Sequence, residues 1–102
     1  MPGNLVEYDV HLVITPAGGD RFERLGEVFE GSPFPVEIEE RDDGLLGVWC
    51  RGIRSAGILA MPEALRLAQI GLSIPLKNAY PAYAGRGLLW SDVVSAEVRT
   101  VT

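Results

Sequence analysis

The residues from Leu5 to Thr15, LVEYDVHLVIT, alternate between apolar and polar side chains. Successive side chains of a β-strand point to opposite faces, so a period of two predicts a strand that is covered on one face only. The apolar set is Tyr8, Val10, Leu12 and Ile14, and the polar set is Glu7, Asp9 and His11. This strand is the clearest element of the sequence, and it requires a sheet with one packed face.

Two helices are predicted. Apolar residues at spacings of three and four indicate a helix over 20–30, which Asp20 and Glu23 cap and Gly31 ends. Pro62 suits the first turn of a second helix, which is predicted over 62–71.

Three further strands complete the set. Residues 36–41 alternate again, and Asp43-Gly44 is a hairpin turn signal that leads into a strand over 45–54. The last predicted strand covers 93–101.

The order strand, helix, strand, strand, helix, strand is that of the ferredoxin-like βαββαβ plan. We therefore expect a single α+β domain over 1–102, with an antiparallel four-stranded sheet and two helices on one face. In this plan the first and third strands are central. Such a fold hosts many unrelated activities, so no function follows from it.

Charge and cysteine usage exclude several classes of protein. The 102 residues carry a net charge of −5: eleven acids and three bases give −8 in residues 1–43, and three acids and six bases give +3 in residues 44–102. An acidic chain lacks the basic face that nucleic acid requires. One cysteine and one histidine argue against a structural zinc site and against an internal disulfide. No signal peptide or spanning segment is recognisable, so we expect a cytoplasmic protein with no membrane partner, metal or cofactor.

The same alternation predicts which side chains lie on the uncovered sheet face. If Arg51 points to the uncovered face, Trp49, two residues earlier, points there as well, and Cys50 between them points inward. The face is then either a solvated surface with weak ion pairs or a docking surface anchored by Trp49. We expect it to carry Glu7, Asp9, His11, Glu37, Glu39, Trp49, Arg51, Glu97 and Arg99.

An acidic run lies at the predicted hairpin: Glu37, Glu39, Glu40, Asp42 and Asp43. Like charges on an edge hairpin discourage strand addition, which is one interpretation. The other is a site for a basic partner, whose approach the acids would accelerate. The run lacks EF-hand spacing, so no calcium loop is predicted.

The segment 73–92, SIPLKNAYPAYAGRGLLWSD, shows no clear period, and we predict a long aromatic-rich loop. Its recognition candidates are Lys77, Tyr80, Tyr83, Arg86 and Trp90. Two interpretations remain open: a binding loop, or a loop folded back over the core with its aromatic residues as filler. A short strand over 88–90 is a further alternative.

Catalytic candidates are few. Asp9 and His11 share a face, as a carboxylate and the imidazole it orients would, but no nucleophile accompanies them. Cys50 lies on the opposite face from His11, which favours a buried and inert thiol. Tyr83 is a third candidate, as the alternative to His11 for the acid–base group of a pocket that the segment 73–92 would cover.

The leading hypothesis is thus a non-catalytic protein-interaction module, such as an inhibitor or immunity-type protein. It would bind a basic partner through the acidic hairpin and the aromatic loop. One alternative is a small-molecule-binding domain or cofactor-free enzyme with a pocket between sheet and helices. Another is a structural assembly subunit, and a homo-oligomer remains open.

Overall fold

A computed structural model of the chain describes residues 5–16, 24–39 and 41–101. Three short 3₁₀ helices are formed by Phe29–Gly31, Pro81–Tyr83 and Trp90–Asp92. The main elements are β1 (Val6–Ile14), α1 (Leu25–Val28), β2 (Val36–Glu39), β3 (Leu46–Ser55), α2 (Ala60–Ala79) and β4 (Val93–Thr100).

The four strands form one antiparallel sheet in the order β2-β3-β1-β4. β3 and β1 are therefore central, and β2 and β4 form the edges. The expectation of a small single-domain α+β fold, with a four-stranded antiparallel sheet and two helices, is confirmed.

The two central strands are joined through a bulge. Tyr8 pairs with Ile53 and Val10 pairs with Cys50, so Arg51 and Gly52 together lie opposite Asp9. Gly52 has a φ of 69°, which glycine adopts without a steric penalty. Beyond the bulge the alternation is kept, which leaves His11 directly opposite Trp49.

The inner face of the sheet, which α2 covers, holds the core. Leu12 and Ile14 of β1 and Val48 and Cys50 of β3 are fully buried there, as their parity predicts. From α2, the residues that pack against them recur at every fourth position: Ala60, Ala64, Ala68, Leu72 and Leu76.

Helix α2 is twice as long as the sequence predicts. The predicted end near Gly71 is wrong, because the helix continues through Pro75 to Ala79. A proline inside a helix removes one hydrogen bond and costs about 3 kcal/mol. Burial of Leu72 and Leu76 continues the apolar stripe across this point, and Pro75 is itself buried, so packing offsets the cost.

The first predicted helix is described only in part. Residues 20–23, with the proposed capping pair Asp20 and Glu23, lie outside the described residues. The chain is α-helical over Leu25–Val28 and then tightens into the 3₁₀ helix that buries Phe29.

The predicted loop over 73–92 is largely structured. Its first seven residues belong to α2, and the rest folds back along that helix. The amide of Leu88 donates to Oγ of Ser73 over 2.9 Å, and the side-chain amide of Gln69 donates to the Leu88 carbonyl. The strand suggested over 88–90 is not formed. None of the helices described is long and apolar enough to cross a bilayer.

Candidate functional site on the outer face of the sheet

The outer face of the sheet, turned away from α2, carries a connected group of charged and aromatic side chains. Contacts across the strands place the side chains that alternation assigns to this face on one common surface. We call this set the outer-face cluster. Its members are Glu7, Asp9, His11, Glu37, Glu39, Trp49, Arg51, Glu97 and Arg99.

Trp49 lies at the centre of the cluster. Its ring is stacked with that of His11, with 4.6 Å between centroids and 28° between planes. The guanidinium carbons of Arg51 and Arg99 lie 4.6 and 5.0 Å from its centroid, within range of a cation–π interaction. Trp49 is half-buried by these neighbours, which restrict the orientation of its ring.

Arg51 links three strands. Its Nη1 donates to Oδ2 of Asp9 on β1 over 2.9 Å, and its Nη2 donates to Oε2 of Glu37 on β2 over 2.8 Å. The planar guanidinium is suited to such a fork. Hydrogen bonding to Glu37, and then to Asp9, raises the pKa of Arg51 against the opposing effect of partial burial.

The carboxylate partner of His11 is Glu39. Nε2 of His11 donates to Oε2 of Glu39 over 3.0 Å, and only 13% of the His11 side chain is exposed. Asp9, the carboxylate that the sequence offers for orienting His11, has other hydrogen-bond partners. Asp9 instead accepts from Arg51 and from the amide of Gly52, because the bulge turns that amide toward it.

The acidic hairpin is internally paired. Arg41 donates to Oε1 of Glu39 over 2.7 Å and to Oδ2 of Asp43 over 2.5 Å. The hydrogen bond from Arg41 lowers the pKa of each carboxylate, with a smaller contribution from His11 at Glu39 and from the Leu45 amide at Asp43. Among the other predicted acids, Asp42 is exposed, and Glu40 lies outside the described residues.

Acidic groups outnumber basic ones on this face. The carboxylates are those of Glu7, Asp9, Glu37, Glu39 and Glu97, and the guanidinium groups are those of Arg51, Arg99, Arg54 and Arg41, the last two beside Glu7 and Glu39. Each of these four arginines is paired with a carboxylate, and each of the five carboxylates is paired with an arginine. The surface therefore keeps a negative surplus while its cations are held in place.

The aromatic candidates of the 73–92 segment are dispersed. Tyr80 and Tyr83 are buried in the core. This placement agrees with the interpretation that the segment folds back over the core, and not with that of a binding loop. Trp90 is exposed near the start of β4. None of the three belongs to the outer-face cluster.

The two cationic candidates of the same segment are also apart from the cluster. Arg86 pairs with Asp92 over 2.7 Å and lies over the ring of Tyr83. Lys77 is exposed near the end of α2. The structure therefore does not assemble the predicted aromatic loop and the outer face into one site.

Tyr83 and Cys50, the remaining residues considered for catalysis, are both separated from His11 by the sheet. Tyr83 packs with the inner-face core, whereas His11 lies on the outer face, so the two do not line one pocket. Cys50 is fully buried on the inner face, and burial raises its thiol pKa to about 12. Because Trp49 is opposite His11, the next residue of β3, Cys50, lies on the other face of the sheet, as expected.

Three surface depressions lie elsewhere. Volumes of about 470, 340 and 290 Å³ are lined mainly by residues 26–36, by residues 77–84, and by Pro33, Phe34, Ile53 and Leu67. Neither His11 nor Trp49 lines any of them. Among the residues that the structure describes, no three histidine, cysteine or acidic side chains are grouped as metal ligands would be.

Two residues shape the cluster although alternation does not single them out. Arg41 lies outside the predicted set, yet its place two residues after Glu39 and two before Asp43 is a recognisable signal. Gly47 has no side chain to contribute, and it makes room for that of Glu39. Chemically, the arrangement offers a rigid aromatic surface with oriented charges.

Comparison of the chain with protein-family models, curated proteins and solved structures finds no match.

Proposed function

We propose that this chain is a non-catalytic protein-interaction module that binds its partner through the outer-face cluster. The observation that carries the proposal is Trp49, a half-buried tryptophan held in one orientation by His11, Arg51 and Arg99 on the sheet face that α2 does not cover. Interface residues that contribute most to binding are enriched in tryptophan and arginine. An anchor that is already ordered loses little side-chain entropy on binding.

The charge of this face favours a basic partner. Its charged groups are paired with one another, but the carboxylates outnumber the arginines, so the face keeps a net negative charge. Steering by such a surplus would raise the association rate, and salt would reduce it. An inhibitor or immunity-type role is the version in which the basic partner is an enzyme. The acidic hairpin then contributes through exposed Asp42, since Glu39 and Asp43 are held by Arg41.

We further propose that the architecture is the ferredoxin-like βαββαβ plan. The order β2-β3-β1-β4 with all neighbours antiparallel, and the α2 connection from β3 to β4, support it. Backbone chemical shifts of residues 17–30 test it, since this plan requires a first helix that packs beside α2. Extended or irregular shifts throughout that range would contradict it.

The binding proposal is tested with the chain as bait in extract of its native host. Proteins captured by the wild type are compared with those captured by Trp49→Ala and, as a matched control, by Trp90→Ala, the other tryptophan, which lies outside the cluster. Thermal unfolding of each bait confirms that it is folded. We expect a protein that is lost with Trp49→Ala and kept with Trp90→Ala.

The captured protein is then purified and titrated directly. Removing an anchor tryptophan should weaken binding by a factor of about 30, which corresponds to about 2 kcal/mol. Raising salt from about 0.05 to about 0.5 M should slow association. Equal binding by wild type and Trp49→Ala, or loss only with Trp90→Ala, would refute the outer face as the contact surface.

A further inference from the structure

Among the residues that the structure describes, the edge of β4 that faces away from β1 has no strand partner. This free edge has the polarity and the charge order of a strand that can pair with a second copy of itself. We propose that two copies of this chain form a homodimer in which their β4 strands pair antiparallel about a twofold axis at Val98. The result is one continuous sheet of eight strands, four from each copy. This inference does not depend on the proposed function, since it rests on the backbone groups at the edge of the sheet, although Glu97 and Arg99, which select its register, also belong to the outer-face cluster.

The backbone hydrogen bonds of β4 determine which of its groups face outward. The amide of Val101 donates to the carbonyl of Glu7 over 2.9 Å, so these two residues form a hydrogen-bonded pair. In an antiparallel ladder such pairs alternate. The hydrogen-bonded pairs that follow the pair of Glu7 and Val101 along the register with β1 therefore involve every second residue of β4, namely Arg99, Glu97 and Ser95. The amides and carbonyls of the residues between and beside them therefore point to the free edge, namely Ala96, Val98 and Thr100.

Side-chain charge selects one register among those that this polarity permits. With the axis at Val98, Glu97 of one copy lies opposite Arg99 of the other, and the pairing occurs twice. These are non-hydrogen-bonded pairs, in which Cα atoms are only about 4.5 Å apart and side chains interact best. An axis at Glu97 would instead oppose two glutamates, and an axis at Ala96 would leave Glu97 opposite Ser95. Opposite charges thus favour Val98.

The inner side of β4 supports the same pairing. Ala96 and Thr100 are exposed there and Val98 is only half-buried. In the dimer, Val98 of one copy lies opposite Val98 of the other, and Ala96 lies opposite Thr100 of the other copy. These contacts cover apolar surface that is exposed to water in the monomer. The other edge is unsuitable: β2 is only four residues long, and it carries Glu37 and Glu39, so self-pairing would bring like charges together.

The oligomeric state of the whole chain, followed by sedimentation from about 1 µM to about 1 mM, tests the proposal in the affinity range of a small interface. We expect a monomer–dimer equilibrium. Ala96→Pro removes an edge-facing amide and should abolish the dimer while leaving the bonds to β1 in place. The matched control is Ser95→Ala, which changes no edge-facing donor and should dimerise normally. Thermal unfolding confirms that each variant is folded.

Charge exchange tests the register. Glu97→Arg alone places like charges opposite each other and should weaken the dimer by a factor of about 10, whereas Glu97→Arg combined with Arg99→Glu should restore it. Val98→Cys should give a disulfide-linked dimer with added oxidant, because hydrogen-bonded partners lie about 5.5 Å apart. Ala96→Cys should not. Buried Cys50 does not compete.

Several results would overturn the proposal. A monomer throughout the concentration range would exclude the dimer. A dimer that persists in Ala96→Pro would place the interface elsewhere. Linkage through Ala96→Cys but not through Val98→Cys would contradict the register, as would a double charge exchange that fails to restore what the single exchange removes.

Discussion

Nε2 of His11 lies 3.0 Å from Oε2 of Glu39, although the two residues belong to strands that are not neighbours in the sheet. Between them runs β3, and the residue of β3 opposite Glu39 is Gly47. A Cβ atom on Gly47 would lie 2.5 Å from Oε1 of Glu39. The missing side chain of Gly47 is therefore what lets the carboxylate cross one strand and reach the next.

Gly47→Ala should break the contact between Glu39 and His11. We expect this substitution to cost about 1 kcal/mol more in the wild-type background than in a Glu39→Ala background, where no carboxylate has to move. Urea unfolding of the four proteins in this double-mutant cycle gives the coupling free energy. Equal costs in the two backgrounds would show that Gly47 does not control the crossing.

Arg51→Ala should destabilise the sheet by about 1–2 kcal/mol. The substitution leaves the Asp9 and Glu37 carboxylates without their shared cation and removes one cation–π contact from Trp49. Arg66→Ala on α2, which removes a single exposed pair with Glu63, is the control and should change stability by less than about 0.5 kcal/mol. Similar losses in both variants would mean that the fork of Arg51 adds nothing.

Arg41 should make the stability of the protein sensitive to acid. Its hydrogen bonds lower the pKa of Glu39 and of Asp43 in the folded state. A lowered folded pKa contributes stability above the unfolded pKa, near 4, which is lost as the pH falls through the folded value. We expect Arg41→Gln to flatten the dependence of the urea midpoint on pH below about 5. An unchanged slope would contradict the pairing.

Cys50 should be unreactive in the folded protein. The side chain is fully buried, and its pKa of about 12 leaves almost no thiolate at a pH of about 8. We expect alkylation only through unfolding, at a rate that urea increases, with complete labelling once the chain is denatured. Rapid labelling in the absence of urea would show that β3 is accessible from its inner face.

Alternation in β1 is sufficient to predict the two faces of the sheet. With His11 outward and Trp49 on the side of Arg51, the members of the outer-face cluster follow, because a period of two leaves few alternatives. The partner of His11 cannot be predicted in this way. Asp9 is nearer along the strand, but the pairing depends on a bulge at Gly52 and on the space above Gly47, and both are tertiary features.

The extent of α2 is a harder problem. Pro75 is a local signal for the end of a helix, and it conflicts with a stripe of small and apolar residues at every fourth position. That stripe, which runs from Ala60 to Leu76, is visible in the sequence and supports a longer helix. Whether the free energy of packing offsets the cost of the proline depends on the surface that the helix covers, and that surface is set by the tertiary structure rather than by the local sequence.

β1 lies between two strands that both come later in the chain. As the chain leaves the ribosome, this strand must wait for β3 before its first ladder can form and for β4 before its second can. The apolar face of β1 also stays uncovered until α2, which packs on it, has been synthesised. We therefore expect β1 to become ordered late, once the chain through β4 is available, because the contacts that stabilise it come from distant parts of the sequence.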